Sequence, residues 1–384
     1  MDNVNLLVIV TIISLFISLF LAFFLITVKT KYKVSNGLFA AFLVLNAIDI
    51  SEPLFNMIVD GPSNLGMFRA SFAFLQIPVF YLYIISVCYS DFKLKPKYLL
   101  HLLPFLIANL ALLPRFYGVD TASKISFIQN RQSMVEFQFN HILIHLQIIV
   151  YIIAVFRVLR KSKKLYVENY AGKSIASYNW LFQFTVVLSV LYMVALLKNI
   201  LKFSDYPHVS EVIKIVLLVS SLFIFCWYLF KALNNPGLFR NIDSKLKLVS
   251  ELVSEEKSSG LPVADEREYN EDLLKLKKYM AEKKPFLNSS LTIQDVSRDI
   301  EIPVRDLSLL INHQIGQHFY DFVNTYRIEN AMDILKDTTK SKVTILEILY
   351  EVGFNSKSSF NTAFKKHTGS TPTDFRKSLK ISGL

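Results

Sequence analysis

Lys357, Asn361 and Lys365 recur at a spacing of four, with Ser358 and Thr362 beside them. On a helix, residues so spaced share one face. This face would offer an amide, two ammonium groups and two hydroxyls. An Asn amide can hydrogen-bond adenine, a lysine can reach guanine or a phosphate, and hydroxyls serve either. A second set stands upstream: Arg305, Ser308, Leu309 and Asn312 lie opposite Leu307, Leu310 and Ile311 on a short amphipathic stretch. Leu309 is the odd member, since its base-directed chemistry is limited to a thymine methyl. Both sets have the chemistry of nucleic-acid reading, and for both the alternative is a solvated helix face. Lys366, Arg376 and Lys377 suit phosphate contact or plain solvent exposure.

The elements that must position these residues can be read from caps and periodicity. Thr292 offers an N-cap, and Ile293, Val296 and Ile300 follow at i, i+3 and i+7. Glu301-Ile302 makes a turn, and Pro303 suits the first position of the next helix. A second unit opens at Thr344, with Ile345, Ile348 and Val352 inward and Gly353 at its turn. Asn355 or Ser356 caps the following helix, whose Phe360 and Phe364 fill the core. A helix over 319–336 separates the two units and spans about 27 Å, near the ~34 Å spacing of successive major grooves on one DNA face. Two helix–turn–helix units in tandem follow.

The stretch 273–378 resembles the AraC-type family of bacterial transcription regulators. Its most specific part is 351–376, with Gly353-Phe354, Ser356, Phe360, Phe364-Lys365-Lys366, Gly369, Thr371-Pro372 and Phe375-Arg376 in register, joined by Asn324-Thr325-Tyr326-Arg327 in the central helix. The resemblance implies two recognition helices in adjacent major grooves of double-stranded promoter DNA, commonly under an attached sensing domain. By position, Arg305, Ser308, Leu309 and Asn312 fall on its first reading helix, and Lys357, Ser358, Asn361 and Thr362 on its second. Leu309 departs from the polar or basic residues common at its place. The N-terminal portion departs further, because most members carry a soluble sensing domain there.

That portion is a different material. Of the 384 residues, 52% are hydrophobic and 19% charged, and the mean hydropathy is +0.38, too apolar for an ordinary soluble chain. Seven runs reach or approach the roughly 20 residues that cross a bilayer, at 4–28, 37–59, 68–90, 98–114, 139–159, 179–201 and 209–233. The fourth is the shortest. The N-terminus lacks the basic n-region of a signal peptide, so the first run is expected to be retained.

The formal charge of +11 sits almost wholly in residues 1–233, where 20 Lys/Arg meet 10 Asp/Glu, while 234–384 holds 22 against 21. The excess therefore reports topology, not DNA affinity. Basic gaps at 29–33, 93–97 and 157–173 face the cytoplasm under the positive-inside rule. The N-terminus is then outside and the C-terminal half cytoplasmic, in a multi-pass protein of the bacterial inner membrane. The near-neutral C-terminal part implies modest affinity per monomer, with a homodimer or local concentration as the remedy.

Ionisable groups in or near the runs include Asp49, Glu52, His101, His141, His145, Lys198, Glu211 and Lys214. Asp49 and Glu52, three apart beside Pro53, suit a signal-receiving cavity. His141 and His145 share a helix face, as a metal or proton site requires, or hydrate near the outer interface. Cys88 and Cys226 have no metal-ligand spacing and read as buried thiols. Neither a metal nor a cofactor is expected. Beyond 233, Ile242, Leu246, Val249 and Val253 suit a short helical seam, and 254–265 reads as a linker.

The expectation is an all-α chain: a seven-helix transmembrane bundle (1–233), a connector (234–265) and a double helix–turn–helix domain (266–384). Its function would be that of a one-component regulator, sensing a small-molecule or envelope signal from the lipid bilayer or beyond and reading promoter DNA, with RNA polymerase a further partner. No phosphate loop, metal quartet or nucleophile–base pair points to an enzyme. The competing reading is a membrane receptor or transporter whose C-terminal domain docks proteins.

Overall fold

The computed structural model describes residues 3–29, 33–89, 91–171, 175–201, 207–234, 266–340 and 342–381. The expected seam at 242–253 and the linker at 254–265 lie outside them. Two compact units emerge, Met1–Leu159 with Leu181–Asn241, and Arg160–Trp180 with Ile242–Leu384. The described residues are helical, apart from turns and one isolated antiparallel pairing of Tyr170 with Thr292.

The first unit begins with α1 (Asn3–Thr27) and α2 (Lys33–Ile50), packed side by side, then α3 (Glu52–Ile58), α4 (Asn64–Ser71) and α5 (Ala73–Cys88). The expected second run is broken at Ser51, where Pro53 occupies the first turn of α3. The third is interrupted at Phe72. The fourth is composite: a 3-10 turn Pro96–Leu102, α6 (Leu103–Leu112) and a π-turn Leu113–Tyr117, with proline near the start of each. After α7 (Thr121–Gln129) come three long helices, α8 (Val135–Asn169), α9 (Ile175–Leu201) and α10 (Pro207–Asn234).

Aromatic packing holds the inner bundle together. Phe39 and Tyr83 rings sit 4.8 Å apart, Phe42 and Phe80 5.3 Å, and Phe80 and Phe184 5.9 Å, all buried. Hydroxyls within the apolar helices return to their own backbone: Thr11 Oγ1 donates to Leu7 O (2.8 Å), Ser86 Oγ to Tyr83 O (2.7 Å) and Thr185 Oγ1 to Leu181 O (2.9 Å). That arrangement satisfies polar atoms within otherwise apolar helices. Large apolar side chains such as Phe16, Phe23, Ile142 and Phe223 point outward instead. Among the described residues, six helical stretches are long and apolar enough to cross a membrane. The seventh expected run forms α10 but is not among the six. Cys88 is buried as expected, whereas Cys226 is exposed on an apolar helix.

The second unit takes in the last turns of α8 and residues up to Trp180, then α11 (Glu266–Lys283), α12 (Ile293–Ile300), α13 (Val304–Leu309), α14 (Phe319–Lys336), α15 (Ile345–Glu351), α16 (Lys357–Thr368) and α17 (Pro372–Ile381). Its two cores match the two helix–turn–helix units. One gathers Leu276, Met280, Ile293, Val296, Ile300, Leu307, Ile311, Phe319 and Phe322; the other gathers Ile348, Leu349, Val352, Phe360 and Phe364 with Ile328 and Ala331. The helix α14 gives its first half to one core and its second half to the other.

Local signals set the helix starts. Thr292 forms a full capping box with Asp295, and Thr344 forms one with Glu347. Ser356 caps α16 by accepting from Ser359 N at 3.1 Å. Pro303 is the N-cap of α13, one place before its expected position. At the second turn only glycine fits: Gly353 has φ +89°, and an added Cβ would lie 2.5 Å from Phe286 O.

Candidate nucleic-acid interface

The second unit presents its expected residues outward. α16 has twelve residues with Phe360 and Phe364 beneath it, so Lys357, Ser358, Thr362 and Lys365 are exposed on the opposite side and Asn361 is half-buried between them. Gly369, at φ +78°, ends the helix in the left-handed conformation and leaves Lys365, Lys366 and His367 in its last turn.

The first unit is different, and two expectations are corrected. Ser308 is 2% exposed and Leu309 4%, so neither stands on an outer face. α13 is only six residues long and runs directly into a π-turn, Leu310–Gln314. The chain therefore buries five consecutive positions, 307–311, where a longer helix would bury every third or fourth. Asn312 is half-buried and its amide is engaged at both ends: Nδ2 donates to Ser308 O at 2.8 Å, and Oδ1 faces His318 Nδ1 at 2.9 Å. Arg305 is partly exposed and lies 3.7 Å from Asp306. His313 and Gln314 are exposed at the end of this segment, and the sequence pattern passed over both.

A cleft of about 680 Å³ brings parts of the two sets together. Asn312, Gln317 and His318 border it from one unit, and Ser358, Thr362 and Lys366 from the other, with Asp321 and Asn324 of α14 as its floor. Lys366 Nζ donates to Asp321 Oδ1 at 2.7 Å, so this lysine ties α16 to α14 and is not spare for phosphate. Arg305, Lys357, Asn361 and Lys365 do not line the cleft.

Arg327 organises this unit from within. Its side chain is buried at 2% exposure, and it donates from Nε to Phe286 O (2.7 Å), from Nη2 to Asn288 O (2.9 Å) and from Nη1 to Ala171 O (2.5 Å) and Asn324 Oδ1 (3.1 Å). Its guanidinium also stands 5.5 Å from the centre of the Phe354 ring. Burial pulls its pKa down to about 10, so it remains a cation at neutral pH. Ala171 is itself buried in the first core, and its N–H donates to Leu291 O at 3.1 Å. Residues 170 and 171, which follow α8, are thus a built-in part of the C-terminal unit. The sequence marked Arg327 only as part of a resemblance; an arginine amid Phe322, Val323, Ile328 and Ala331 was the signal.

In the first unit, Asp49, Glu52, Gln76, Lys198 and Lys214 border a cavity of about 230 Å³. Lys214 Nζ lies 3.3 Å from Glu52 Oε2. The His141 and His145 rings stand 4.6 Å apart, edge to face, and His145 Nε2 is 3.4 Å from Asn199 Nδ2. His141 lines a separate cleft of about 390 Å³ with Arg131 and Gln138. Among the described residues, no three His, Cys, Asp or Glu converge as a metal site.

Residues 296–378 match a family model described as a helix-turn-helix domain. The transcriptional regulatory protein YesN of Bacillus subtilis is 33% identical over 92 residues, which is 23% of this chain and 24% of that protein. The HTH-type transcriptional regulator YfiF of the same organism is 35% identical over 98 residues, 26% of this chain and 30% of that one. The HTH-type transcriptional activator RhaS of Mannheimia succiniciproducens is 31% identical over 83 residues, 22% and 30%. The C-terminal unit carries an AraC-type helix-turn-helix domain. The chain spans under a third of the length of these relatives. No solved structure matches.

Proposed function

We propose that this chain is a membrane-embedded, one-component transcription regulator. Its helical bundle, counted as seven spans with α10, receives a cue, and its AraC-type domain binds double-stranded promoter DNA from the cytoplasmic face of a bacterial inner membrane. The observation that carries the reading is the exposed face of α16, where Lys357, Ser358, Thr362 and Lys365 surround Asn361 on a helix capped at both ends. Such a face supplies direct base readout together with phosphate contact.

Topology is supported by two observations of different kinds. The basic gaps follow the positive-inside rule. Separately, Ala171 is clamped by Arg327 within the DNA-reading unit, which requires the segment between α8 and α9 to share one side with the C-terminal domain. The same clamp offers a route for the signal, because movement of α8 or α9 acts directly on the carbonyl that Arg327 holds. RNA polymerase contact and a homodimer belong to this proposal as further partners.

The test uses the full chain in lipid nanodiscs, since a fragment starting at 266 would lose the Ala171 acceptor. Genomic sites are selected by binding and then footprinted. Protection of paired sites about one helical turn apart is expected, and a tag on the C-terminus should be inaccessible in intact cells. Binding that ignores sequence, or a tag reachable from outside, would overturn the proposal.

A further inference from the structure

The cavity of the first unit has a chemical asymmetry that the proposed sensing role does not by itself explain. α2, α5, α9 and α10 each contribute to it. One end is polar: Asp49, Glu52, Gln76, Lys198 and Lys214. The remainder is mostly apolar, with Leu188, Leu191, Leu217, Leu218 and Ile224 beside Asn46, Tyr192 and Ser221. Glu52 and Lys214 satisfy each other at 3.3 Å. Asp49 and Lys198 do not. They lie within electrostatic reach of one another, yet neither makes an ion pair among the described residues. Arg69, the other nearby cation, is taken up by the backbone, donating from Nη1 to Ile48 O (2.8 Å) and Asp49 O (3.2 Å).

Gln76 supplies the second observation. It is 6% exposed and lines the same cavity, with its amide turned to the Asp49 carboxyl but short of a full hydrogen bond to it. A buried amide donor left unmade is costly, and so are opposite charges held apart in an apolar bundle. A single kind of guest relieves both charges: one that carries a cation for Asp49 and an anion for Lys198, with an apolar body for the leucines. Size agrees. An apolar cavity of about 150 Å³ admits benzene, so 230 Å³ holds an apolar group of that order with a short polar head.

We infer that this cavity binds a small zwitterion with an apolar body, its ammonium on Asp49 and its anionic group on Lys198. The inference rests on the sensing role proposed above and names the class of cue. The same chemistry could come from a free amino acid or from the headgroup of a zwitterionic lipid, and the test separates the two.

The full chain in phosphatidylglycerol nanodiscs is heated with and without L-leucine or L-phenylalanine, and unfolding is followed by tryptophan fluorescence. The zwitterions should raise the midpoint. Isoamylamine, with the cation alone, and isocaproate, with the anion alone, should bind about tenfold more weakly or worse, the loss expected for one charge-assisted hydrogen bond. Asp49→Asn and Lys198→Gln each remove one charge, so each should lose about the same factor when the zwitterion's rise is read against that variant's own unliganded midpoint, with Asp49→Glu restoring part of it. If phosphatidylethanolamine in the discs raises the midpoint while the amino acids do not, and Asp49→Asn abolishes that rise, the guest is the lipid headgroup. No shift with any of these probes overturns the inference, as do single-charge analogues that bind equally or variants that bind like the parent. DNA footprinting of the same samples keeps the two proposals apart. Ligand binding without any sequence-specific footprint defeats the regulator and leaves the site. A footprint that responds to a cue, with no zwitterion bound, does the reverse.

Discussion

The two helix–turn–helix units share a plan and differ in how much surface they give away. Each opens with a capping box, at Thr292–Asp295 and Thr344–Glu347. After the turn they diverge. α16 runs twelve residues and keeps Lys357, Ser358, Thr362 and Lys365 in solvent. α13 and the π-turn that continues it cover Val304–Gln314, and the positions that should correspond, Ser308 and Leu309, are interior. With 307–311 all buried, this stretch has fewer outward side chains to offer than α16. The proposed division is that the second unit reads and the first holds: α12 starts beside Leu291 and Thr292, where residues 170 and 171 attach.

The largest break in that division should come from Arg327→Ala. Three backbone carbonyls, of Phe286, Asn288 and Ala171, would lose their donor. A buried acceptor left unpaired costs about 1–3 kcal/mol, so the opening free energy should fall by more than about 3 kcal/mol. Hydrogen exchange at α12 and α14 amides in the full chain measures it. An unchanged exchange rate would mean that the arginine is not the clamp.

Leu309→Ala comes next. A buried leucine truncated in a packed site costs about 2–5 kcal/mol, so protection in α13 should drop while base preference across a library of sites stays the same. A changed preference would place Leu309 at the DNA after all. Asn361→Ala is the mirror image. It should cost roughly 1–3 kcal/mol at one base position, with protection of α16 nearly intact, because Phe360 and Phe364 beneath it carry the packing. Both affinities need one fixed salt concentration, since the phosphate contribution varies steeply with ionic strength. Equal weakening on every sequence would recast Asn361 as a phosphate contact.

What the sequence revealed and concealed follows the same line. Caps, turns and core faces are local, so Thr292, Thr344, Gly353 and the 319–336 helix could be read off short windows. The outward residues of α16 were legible because a long helix obeys its period. On α13 the period misled: a six-residue helix followed by a π-turn does not keep one face free. Arg327 was illegible as a clamp because its acceptors lie at 171, 286 and 288, one of them 156 positions away. In the bundle, apolar length marked the helices, while the breaks at Ser51 and Phe72 and the meeting of Asp49, Gln76 and Lys198 depend on packing between distant segments.

Ser308→Ala should have the smallest effect, and it sharpens the comparison most. The Ser308 hydroxyl is buried, and its contact with Asn312 Nδ2 is long, 3.4 Å. Asn312 holds its better bond to the Ser308 carbonyl at 2.8 Å, which the substitution leaves in place. The change therefore removes one weak hydrogen bond from the interior and should cost less than about 1 kcal/mol of stability. At a surface meant for bases the same change would delete a donor–acceptor and alter preference at one position. Binding across all variants of a footprinted site distinguishes these outcomes. A uniform profile keeps the first unit as the holder; a change confined to one base would return it to the role of reader and equalise the two units.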